Sequence, residues 1–226
     1  METRQQPLLI TEIFHSLQGE TSLSGERFAF IRLTGCNLRC TYCDSAYAFK
    51  GGTKMSIAEI LGEIKPWNVR HVLLTGGEPL LQRPIVDLLD RLNQENYTVS
   101  IETHGELPID RVAGKARIIL DIKTPSSGMQ RGGYRANAPL LGPRDEVKFV
   151  IASSEDYYWA RDLVRSQDWK AGTILFSAAV PAKGAPRAIQ PVEAKWLAER
   201  ILEDQLPVRL QIQLHKLLWG ADRTGV

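Results

Sequence analysis

The chain has 226 residues, of which 43% are hydrophobic and 24% charged, as is ordinary for a globular protein. Its net charge of +2 gives no electrostatic case for binding nucleic acid or a membrane surface, and no apolar run is long enough to cross a bilayer. The first residues lack the apolar segment and cleavage site of a signal peptide, so we expect a cytoplasmic protein.

Strand and helix patterns alternate along the chain after a short N-terminal stretch. Strands are predicted at FAFIRLTG (28–35), RHVLLTGG (70–77), TVSIETHG (98–105), RIILDIK (117–123), DEVKFVIAS (145–153), GTILFSA (172–178) and VRLQIQLH (208–215). Helices are predicted at 56–65, 84–95, 155–167 and 192–205. Ser56 and Glu59 have the spacing of a capping box at the start of the first helix.

This alternation predicts a mainly parallel sheet with right-handed crossovers. Several strands are almost continuously apolar, as strands covered on both faces should be. About six or seven strand–helix units are fewer than the eight of a closed barrel. We therefore predict an α/β fold with a partial, incomplete TIM-like barrel in a single domain over residues 1–226. A doubly wound open sheet is the alternative.

Polar segments follow the predicted strands at their C-terminal ends. The cysteine-containing segment follows the first strand and TGGEP follows the second, while ETHG, DIKTPSSG and QLHK end later ones. Enzymes with parallel α/β sheets assemble their sites from the loops at this rim. The sequence therefore predicts one site built from several loops.

All three cysteines lie within CNLRCTYC, as Cys36, Cys40 and Cys43 with C-x3-C-x2-C spacing. In a reducing compartment such a cluster indicates metal ligation or catalysis rather than disulfides. Three thiolates can bind three corners of a four-iron cluster and leave the fourth iron open to a small molecule. A structural zinc site would need a fourth ligand, for which His15 and His71 are candidates. Cysteines without a metal are the remaining possibility.

The segment GCNLRCTYCDS, taken with TGGEP, resembles the signature of the radical S-adenosylmethionine superfamily. EIFHSLQGE (12–20), Arg32, the Asp44–Ser45 pair and QLHK extend the resemblance over nearly the whole chain to the 7-carboxy-7-deazaguanine synthase family. The resemblance implies a radical-SAM fold, a 4Fe–4S cluster on the three cysteines, S-adenosylmethionine at the open iron, and Mg²⁺.

The resemblance also implies a reaction. The small-molecule substrate would be 6-carboxy-5,6,7,8-tetrahydropterin, whose ring contracts to 7-carboxy-7-deazaguanine with loss of ammonia, a step in queuosine biosynthesis. An external electron donor and a homodimer belong to the same expectation. One rival is a radical-SAM activase acting on a protein partner, which would share the cysteine loop and TGGEP but not the set Gln18, Glu20 and Arg32. The other rival is a zinc-stabilised binding module.

Site residues are implied by the same resemblance. The expected contacts to S-adenosylmethionine are Tyr42, Asp44, Gly77, Glu78, Glu102, Thr103, Lys123 and Ser177. The expected substrate contacts are Leu17, Gln18, Gly19, Glu20, Arg32, Thr75 and His215, and Ser45 is the expected magnesium ligand.

The chemistry of three of these residues suits the substrate. The guanidinium of Arg32 matches a carboxylate, although an arginine at a strand edge can instead pair with an acid. Gln18 and Glu20 can read the donor and acceptor edge of a pterin, or can simply cap a turn.

Four features depart from the usual family pattern. Ser45 stands where Thr is usual, Thr21 where Gly is common, and His104 where Asn is usual. The chain also continues for ten residues after Lys216, as LLWGADRTGV. The resemblance therefore does not imply that the C-terminal carboxylate of this chain binds the substrate.

Overall fold

Within residues 6–187 and 190–226, which the computed structural model describes, nine strands form one sheet. The strands are β1 (Leu8–Leu17), β2 (Arg27–Leu33), β3 (Thr53–Met55), β4 (His71–Gly76), β5 (Thr98–Thr103), β6 (Arg117–Ile122), β7 (Glu146–Ile151), β8 (Thr173–Ala178) and β9 (Arg209–Gln211). The α-helices are α1 (Ile57–Ile64), α2 (Ile85–Gln94), α3 (Tyr134–Asn137), α4 (Ser154–Ser166), α5 (Ala194–Glu203) and α6 (Leu214–Trp219). Short 3₁₀ segments lie at Ala46–Phe49, Lys65–Trp67, Pro79–Leu81, Pro125–Ser127 and Ala138–Leu140.

The sheet is open and mostly parallel, with the order β3-β1-β2-β4-β5-β6-β7-β8-β9. Parallel pairing runs from β2 through β4 to β9, whereas β1 is antiparallel to β2 and to β3. Its two ends, β3 and β9, do not pair with each other among the described residues. The prediction of an incomplete α/β barrel is confirmed.

The predicted helices form where the sequence signals placed them. Ser56 and Glu59 make the reciprocal bonds of a capping box at the start of α1, where Ser56 N–H donates to Glu59 Oε2 over 2.7 Å. Pro84 precedes the first residue of α2, a place where its missing N–H costs nothing. These local signals fix where the helices cross over between parallel strands.

Two strands were not predicted, and one predicted strand was wrong in extent. β1 and β3 lie in stretches that the sequence reading left unassigned, because neither belongs to a strand–helix unit. The strand predicted over 208–215 is real only at Arg209–Gln211, and Leu214 begins α6. Leu214 N–H donates to Gly19 O over 2.8 Å, so this segment bonds to the loop after β1 instead of extending the strand.

Alternate side chains of the strands pack on opposite faces of the sheet. Ala29, Ile31 and Leu33 belong to the large core, which also contains the buried faces of α1, α2 and α4. Phe28 and Phe30 face the other way and form a small cluster with Leu73 and Ile119, against which Phe14 packs. No helix in the described ranges has the length and apolar character needed to span a bilayer.

Candidate active site

A cavity of about 380 Å³ opens at the C-terminal ends of the parallel strands. Most of the predicted site residues line it, namely Leu17, Gln18, Gly19, Glu20, Arg32, Cys36, Cys40, Tyr42, Cys43, Asp44, Ser45, Thr75, Gly77, Glu102, Thr103, Lys123 and His215. Glu78 and Ser177 are not among the lining residues of the described chain. The structure therefore brings together residues that the sequence separates by up to about 200 positions.

The cysteine loop begins directly after β2 and places all three thiols on this cavity. Cys40 is buried, Cys36 and Cys43 are partly buried, and none is in a disulfide. Burial and the neighbouring Asp44 carboxylate raise the pKa of the Cys43 thiol to about 11. The thiols are therefore protonated when no metal is bound, and ligation of a metal must release their protons.

The arrangement of donors fits an iron–sulfur cluster better than a single zinc ion. Within residues 6–187 and 190–226, no three His, Cys, Asp or Glu side chains are grouped to hold one metal ion. His15 stacks on Trp67 and His71 on Phe28, which commits both proposed fourth ligands to other packing contacts. A four-iron cluster is larger than one ion and accepts three thiolates with one iron left open.

Gly77 brings the TGGE segment into close contact with the cysteine loop. A Cβ at Gly77 would lie 2.2 Å from Gly35 O and 2.9 Å from Cys36 Cβ, so no side chain fits there. Glu78 N–H also donates to Gly35 O over 2.8 Å. The backbone after β4 is thereby held beside Cys36. Because Gly77 has no side chain, a ligand can approach this backbone closely.

The side chain of Glu78 points away from the cavity and is completely buried. Its carboxylate accepts from Thr103 Oγ1 over 2.9 Å and from the backbone N–H groups of Leu80 and His104 over 3.0 Å each. Burial raises the pKa of Glu78 to about 7 despite these bonds. Glu78 thus connects the loops after β4 and β5 instead of presenting a charge to a ligand.

Ser177 lies in β8 and is 1% exposed, and its hydroxyl has no hydrogen-bond partner among the described atoms. Its predicted contact with the cofactor therefore receives no support from its position. Tyr42 does reach the cavity, and its hydroxyl is 3.1 Å from Thr124 Oγ1. Burial raises the pKa of Tyr42, so the ring lines the site as a neutral phenol.

Lys123 directly follows β6 and lines the cavity close to Cys40. Its ammonium lies 2.9 Å from Asp121 Oδ2. Burial opposes the charge, but Asp121 and the nearby Cys40 raise the pKa of Lys123 above its ordinary value. Lys123 therefore remains charged and can bind an anionic group in the cavity.

His104, which stands where the family usually has Asn, is a buried neutral imidazole. Burial and the Lys123 charge lower its pKa to about 3. Nδ1 accepts from Glu106 N–H over 3.0 Å, which leaves the ring proton on Nε2. Nε2 then donates toward Asn37 Oδ1 at 2.9 Å and lies 3.2 Å from Glu78 Oε2, so the imidazole can replace an amide donor.

The loop between β1 and β2 lies at the N-terminal end of β2, opposite to the cysteine loop, and it also reaches the cavity. Gln18 is 3% exposed, and its Nε2 has no partner among the described residues. Behind the loop, Ser22 N–H and Oγ both donate to the buried Glu146 carboxylate, which also receives Arg117. This anchor holds the residues just before Ser22 against the cavity.

Gly19 and His215 are in direct contact across this loop. A Cβ at Gly19 would lie 2.1 Å from His215 Nδ1, so the imidazole packs on the bare backbone. Burial lowers the pKa of His215, although the Glu20 carboxylate opposes this. Leu17, Gly19 and His215 thus line the cavity together.

Lys148, which was not predicted as a site residue from the sequence, lies near the middle of β7 and is 4% exposed. Its ammonium binds the Glu20 carboxylate, lies 2.6 Å from Glu102 Oε1 and is 3.7 Å from Asp121 Oδ2. Burial would raise the pKa of Glu20, but Lys148, His215 and Gln213 lower it to about 2. A lysine inside the apolar run EVKFVI was the available signal, because such a charge is buried only when paired.

Arg32 is paired with an acid, which is one of the two sequence interpretations, and it also lines the cavity. Its Nε–H donates to Glu12 Oε1 over 2.7 Å, and Nη1 is 3.4 Å from Ser45 Oγ. Ser45 Oγ in turn donates to Asp44 Oδ1 over 3.0 Å. The outer edge of the guanidinium is directed to the same part of the cavity as the Ser45 hydroxyl.

The C-terminal helix and the residues after it close one side of the cavity. Lys216 Nζ donates to Asp44 Oδ2 over 2.6 Å, which ties α6 to the cysteine loop. Burial would raise the pKa of Asp44, but the Lys216 ammonium holds it well below its usual range. Residues 221–226 line the cavity, and Asp222 Oδ1 accepts from Lys183 N–H over 2.9 Å. Residues 221–226 of the C-terminal extension are therefore part of the site wall, whereas Leu217, Leu218 and Trp219 are exposed.

These features define the chain as a radical S-adenosylmethionine enzyme, and the sequence profile described as "Radical SAM superfamily" matches residues 30–135. The 7-carboxy-7-deazaguanine synthase of Koribacter versatilis is 45% identical over 96% of this chain and 99% of its own length. The synthase of Chlorobaculum tepidum is 42% identical over 97% and 98%. The chain belongs to the 7-carboxy-7-deazaguanine synthase family.

The fold agrees with a solved structure. QueE from Escherichia coli aligns with a TM-score of 0.68 over 92% of this chain and 95% of that chain, at 22% sequence identity. At this identity the likeness shows the fold alone. Both sequence relatives reported above carry the synthase name, which favours the synthase over the activase and the zinc module.

Proposed function

We propose that this enzyme converts 6-carboxy-5,6,7,8-tetrahydropterin to 7-carboxy-7-deazaguanine and ammonia by a radical ring contraction. The observation that carries the proposal is one cavity lined by Cys36, Cys40 and Cys43 together with Arg32 and Glu20. The thiols suit an iron–sulfur cofactor, the guanidinium suits a carboxylate, and the Glu20 carboxylate suits the N–H groups of a pterin ring.

Cys36, Cys40 and Cys43 would hold the 4Fe–4S cluster. When bound, the cluster supplies the electron that splits S-adenosylmethionine and so generates the radical that abstracts hydrogen. The Gly77 backbone, the neutral Tyr42 ring and the Lys123 ammonium lie around the same end of the cavity and would orient S-adenosylmethionine.

The substrate would lie between the loop after β1 and the strand end at Arg32. Arg32 would use its outer N–H groups for the substrate carboxylate, since Nε is occupied by Glu12. Gln18 Nε2, which is buried without a partner among the described atoms, would donate to the oxo group of the ring. Glu20 is ionised and would accept from the adjacent N–H donors of the pterin.

Mg²⁺ would bind beside Arg32, with the Ser45 hydroxyl and the substrate carboxylate as two of its oxygen ligands. This ion keeps several waters and is commonly held by one or two protein ligands plus substrate. The Ser45 hydroxyl lines the cavity next to the Arg32 guanidinium, which supports the assignment. Asp44 is tied to Lys216, which leaves Ser45 as the direct ligand in this proposal.

The enzyme would act as a homodimer joined at the β9 edge and α6. Among the residues that the structure describes, β9 ends the sheet, and its outer edge has no strand partner, a feature that favours pairing with another chain. Large apolar side chains are exposed on the same stretch, namely Leu210, Ile212, Leu217, Leu218 and Trp219. Leu217→Glu should give a monomer in light scattering, and Leu140→Glu, which changes an equally apolar exposed residue elsewhere, should not.

An external donor would deliver the electron at the exposed outer face of the cysteine loop, where Asn37 and Arg39 lie.

The reaction itself is tested by anaerobic incubation of the reconstituted protein with S-adenosylmethionine, Mg²⁺, a reductant and the carboxytetrahydropterin. Mass analysis should detect 7-carboxy-7-deazaguanine, and Arg32→Ala and Glu20→Ala should each lower its rate of formation. Failure of the unmodified enzyme to form the product, with its cluster intact, would contradict the proposed substrate.

A further inference from the structure

Lys148 lines the cavity between Glu20, which is proposed to contact the substrate, and Glu102, which is expected to contact the cofactor. Its ammonium contacts Glu20 in the substrate loop, Glu102 at the end of β5 and Asp121 at the end of β6. It is the one cation that bonds Glu20 within residues 6–187 and 190–226. We infer that Lys148 is a positioning residue that holds the Glu20 carboxylate in place to accept the adjacent N–H donors of the substrate ring.

Both oxygens of the Glu20 carboxylate are held by hydrogen bonds. Lys148 binds Oε2 of Glu20, and Gln213 Nε2 donates to Oε1 over 2.5 Å. Each carboxylate oxygen keeps a second lone pair, so both oxygens can still accept from a ligand. With each oxygen anchored from behind, the carboxylate plane is fixed before substrate arrives, which lowers the ordering cost of binding.

Lys148 also offsets the negative charge of several neighbouring carboxylates. Glu20, Glu102 and Asp121 are three carboxylates from three different elements in one buried region, and they would repel each other without a cation. Burial raises the pKa of Glu102 even with Lys148 present. Without the ammonium, Glu20 and Glu102 would share a proton, and a protonated Glu20 is a poorer acceptor.

A ligand with two neighbouring N–H groups is the class that this site would select. A planar carboxylate accepts two parallel N–H donors, as it does from a guanidinium. The 2-amino-4-oxo edge of a pterin presents such a pair, so the inference rests on the proposed function and deepens it. Lys148 itself need not touch the ring, because its bonds are already made to Glu20 and Glu102.

The test measures equilibrium binding of 6-carboxypterin, the oxidised, non-reacting and fluorescent form of the substrate, by fluorescence titration. Lys148→Met should weaken binding by about 10- to 100-fold, since it removes a charge-assisted bond that orients the acceptor. The matched control is Lys115→Met, which breaks an exposed lysine pair with Asp90 and should leave affinity unchanged. Lys148→Arg keeps the cation and should recover part of the affinity.

A double-mutant cycle separates a role through Glu20 from a merely structural one. If Lys148 acts through Glu20, Glu20→Gln/Lys148→Met should bind no more weakly than Glu20→Gln alone. Additive losses, or Lys148→Met binding as tightly as the unmodified protein, would overturn the inference. If Lys148→Met does not fold, the comparison of Glu20→Gln with Glu20→Gln/Lys148→Gln carries the same test, because both remove the buried carboxylate charge at Glu20.

The pH dependence gives a second readout that a packing role would not move. The titratable groups that face Glu20 are Lys148, Glu102, Asp121 and His215, with Lys123 behind Asp121. Relative to the unmodified protein, the affinity of Lys148→Met should improve as pH rises from about 5.5 to about 7, a range in which the ring N–H donors of 6-carboxypterin stay protonated, because the shared proton leaves Glu20. A flat profile for both proteins would contradict the inference. Product formation is measured separately. If the unmodified enzyme forms no product, the proposed reaction is contradicted, and the binding measurements still test the role of Lys148.

Discussion

Glu12 and Arg32 face each other across the antiparallel pair β1 and β2, and Arg32 Nε–H donates to Glu12 Oε1 over 2.7 Å. The same oxygen accepts from the Tyr47 hydroxyl over 2.7 Å, and the Tyr47 ring lies 5.7 Å from the guanidinium carbon. Glu12 therefore uses the inner edge of Arg32 and turns the outer edge toward the cavity. The acid that could have been evidence against a substrate role instead orients the arginine.

Replacement of Glu12 should weaken substrate binding while leaving the chemistry largely intact. Glu12→Ala frees the Arg32 side chain, and we expect KM for the carboxytetrahydropterin to rise about 10-fold, in line with loss of one charge-assisted hydrogen bond. Steady-state kinetics measures this change, with Glu12→Gln, which retains an acceptor oxygen, as the milder control. An unchanged KM in Glu12→Ala would show that Arg32 needs no orientation.

Gly19→Ala should disturb His215 without unfolding the enzyme. The added methyl would lie 2.1 Å from His215 Nδ1, so the imidazole must move out of its place in the cavity wall. A displacement of that size in a site wall can cost on the order of 10- to 100-fold in kcat/KM. The control is Gly184→Ala, which adds the same methyl to the cavity lining where nothing lies within 4 Å. Equal activity of the two variants would mean that His215 does not contact the substrate.

Ser45→Thr should tighten the dependence of activity on Mg²⁺. The family usually has Thr here, and a β-branched side chain restricts rotation about χ1 and so pre-orders the hydroxyl. We expect the concentration of Mg²⁺ for half-maximal activity to fall about 3-fold, because a pre-ordered ligand pays less entropy on binding. Ser45→Ala should raise that concentration. A magnesium titration that is identical in all three proteins would exclude Ser45 as a ligand.

His104 should make the protein less stable at mildly acidic pH. Burial and Lys123 lower its folded pKa from 6.5 to about 3, so only the unfolded chain takes up this proton between those values. The stabilisation is complete above pH 6.5 and is lost as pH falls. Relative to His104→Asn, the free energy of unfolding should drop by about 1.4 kcal/mol between pH 8 and pH 5.5. Denaturant unfolding at matched cluster content measures this difference, and parallel pH profiles would contradict a buried neutral imidazole.

Much of the fold followed from local signals in the sequence. The apolar runs that became β4 to β8 and the capping box at Ser56 are local features, and the polar loops at the strand ends share one rim because parallel strands end together. β1 escaped prediction because it pairs antiparallel with β2 and has no crossover helix. The strand expected over 208–215 is mostly replaced because Gln213 and Leu214 bond to the loop after β1.

The site was predictable where motifs carried it and not where long-range pairing decided it. The cysteines and Arg32 were found from spacing and resemblance. Lys148 was missed because its role depends on Glu20 and Glu102, which lie 128 and 46 positions away. Glu78 was assigned to the cofactor from its place in TGGEP, yet its side chain turns inward to Thr103. Which way a side chain points from a loop is set by tertiary contacts that spacing does not encode.

The central claim is that Cys36, Cys40 and Cys43 hold a four-iron cluster with one iron open to S-adenosylmethionine. The most direct measurement is electron paramagnetic resonance of the anaerobically reconstituted, reduced protein, combined with iron and sulfide analysis. We predict about four irons and four sulfides per chain and a cluster signal that changes when S-adenosylmethionine is added. About one zinc per chain with no iron, or a cluster signal that S-adenosylmethionine leaves unaltered, would contradict the account.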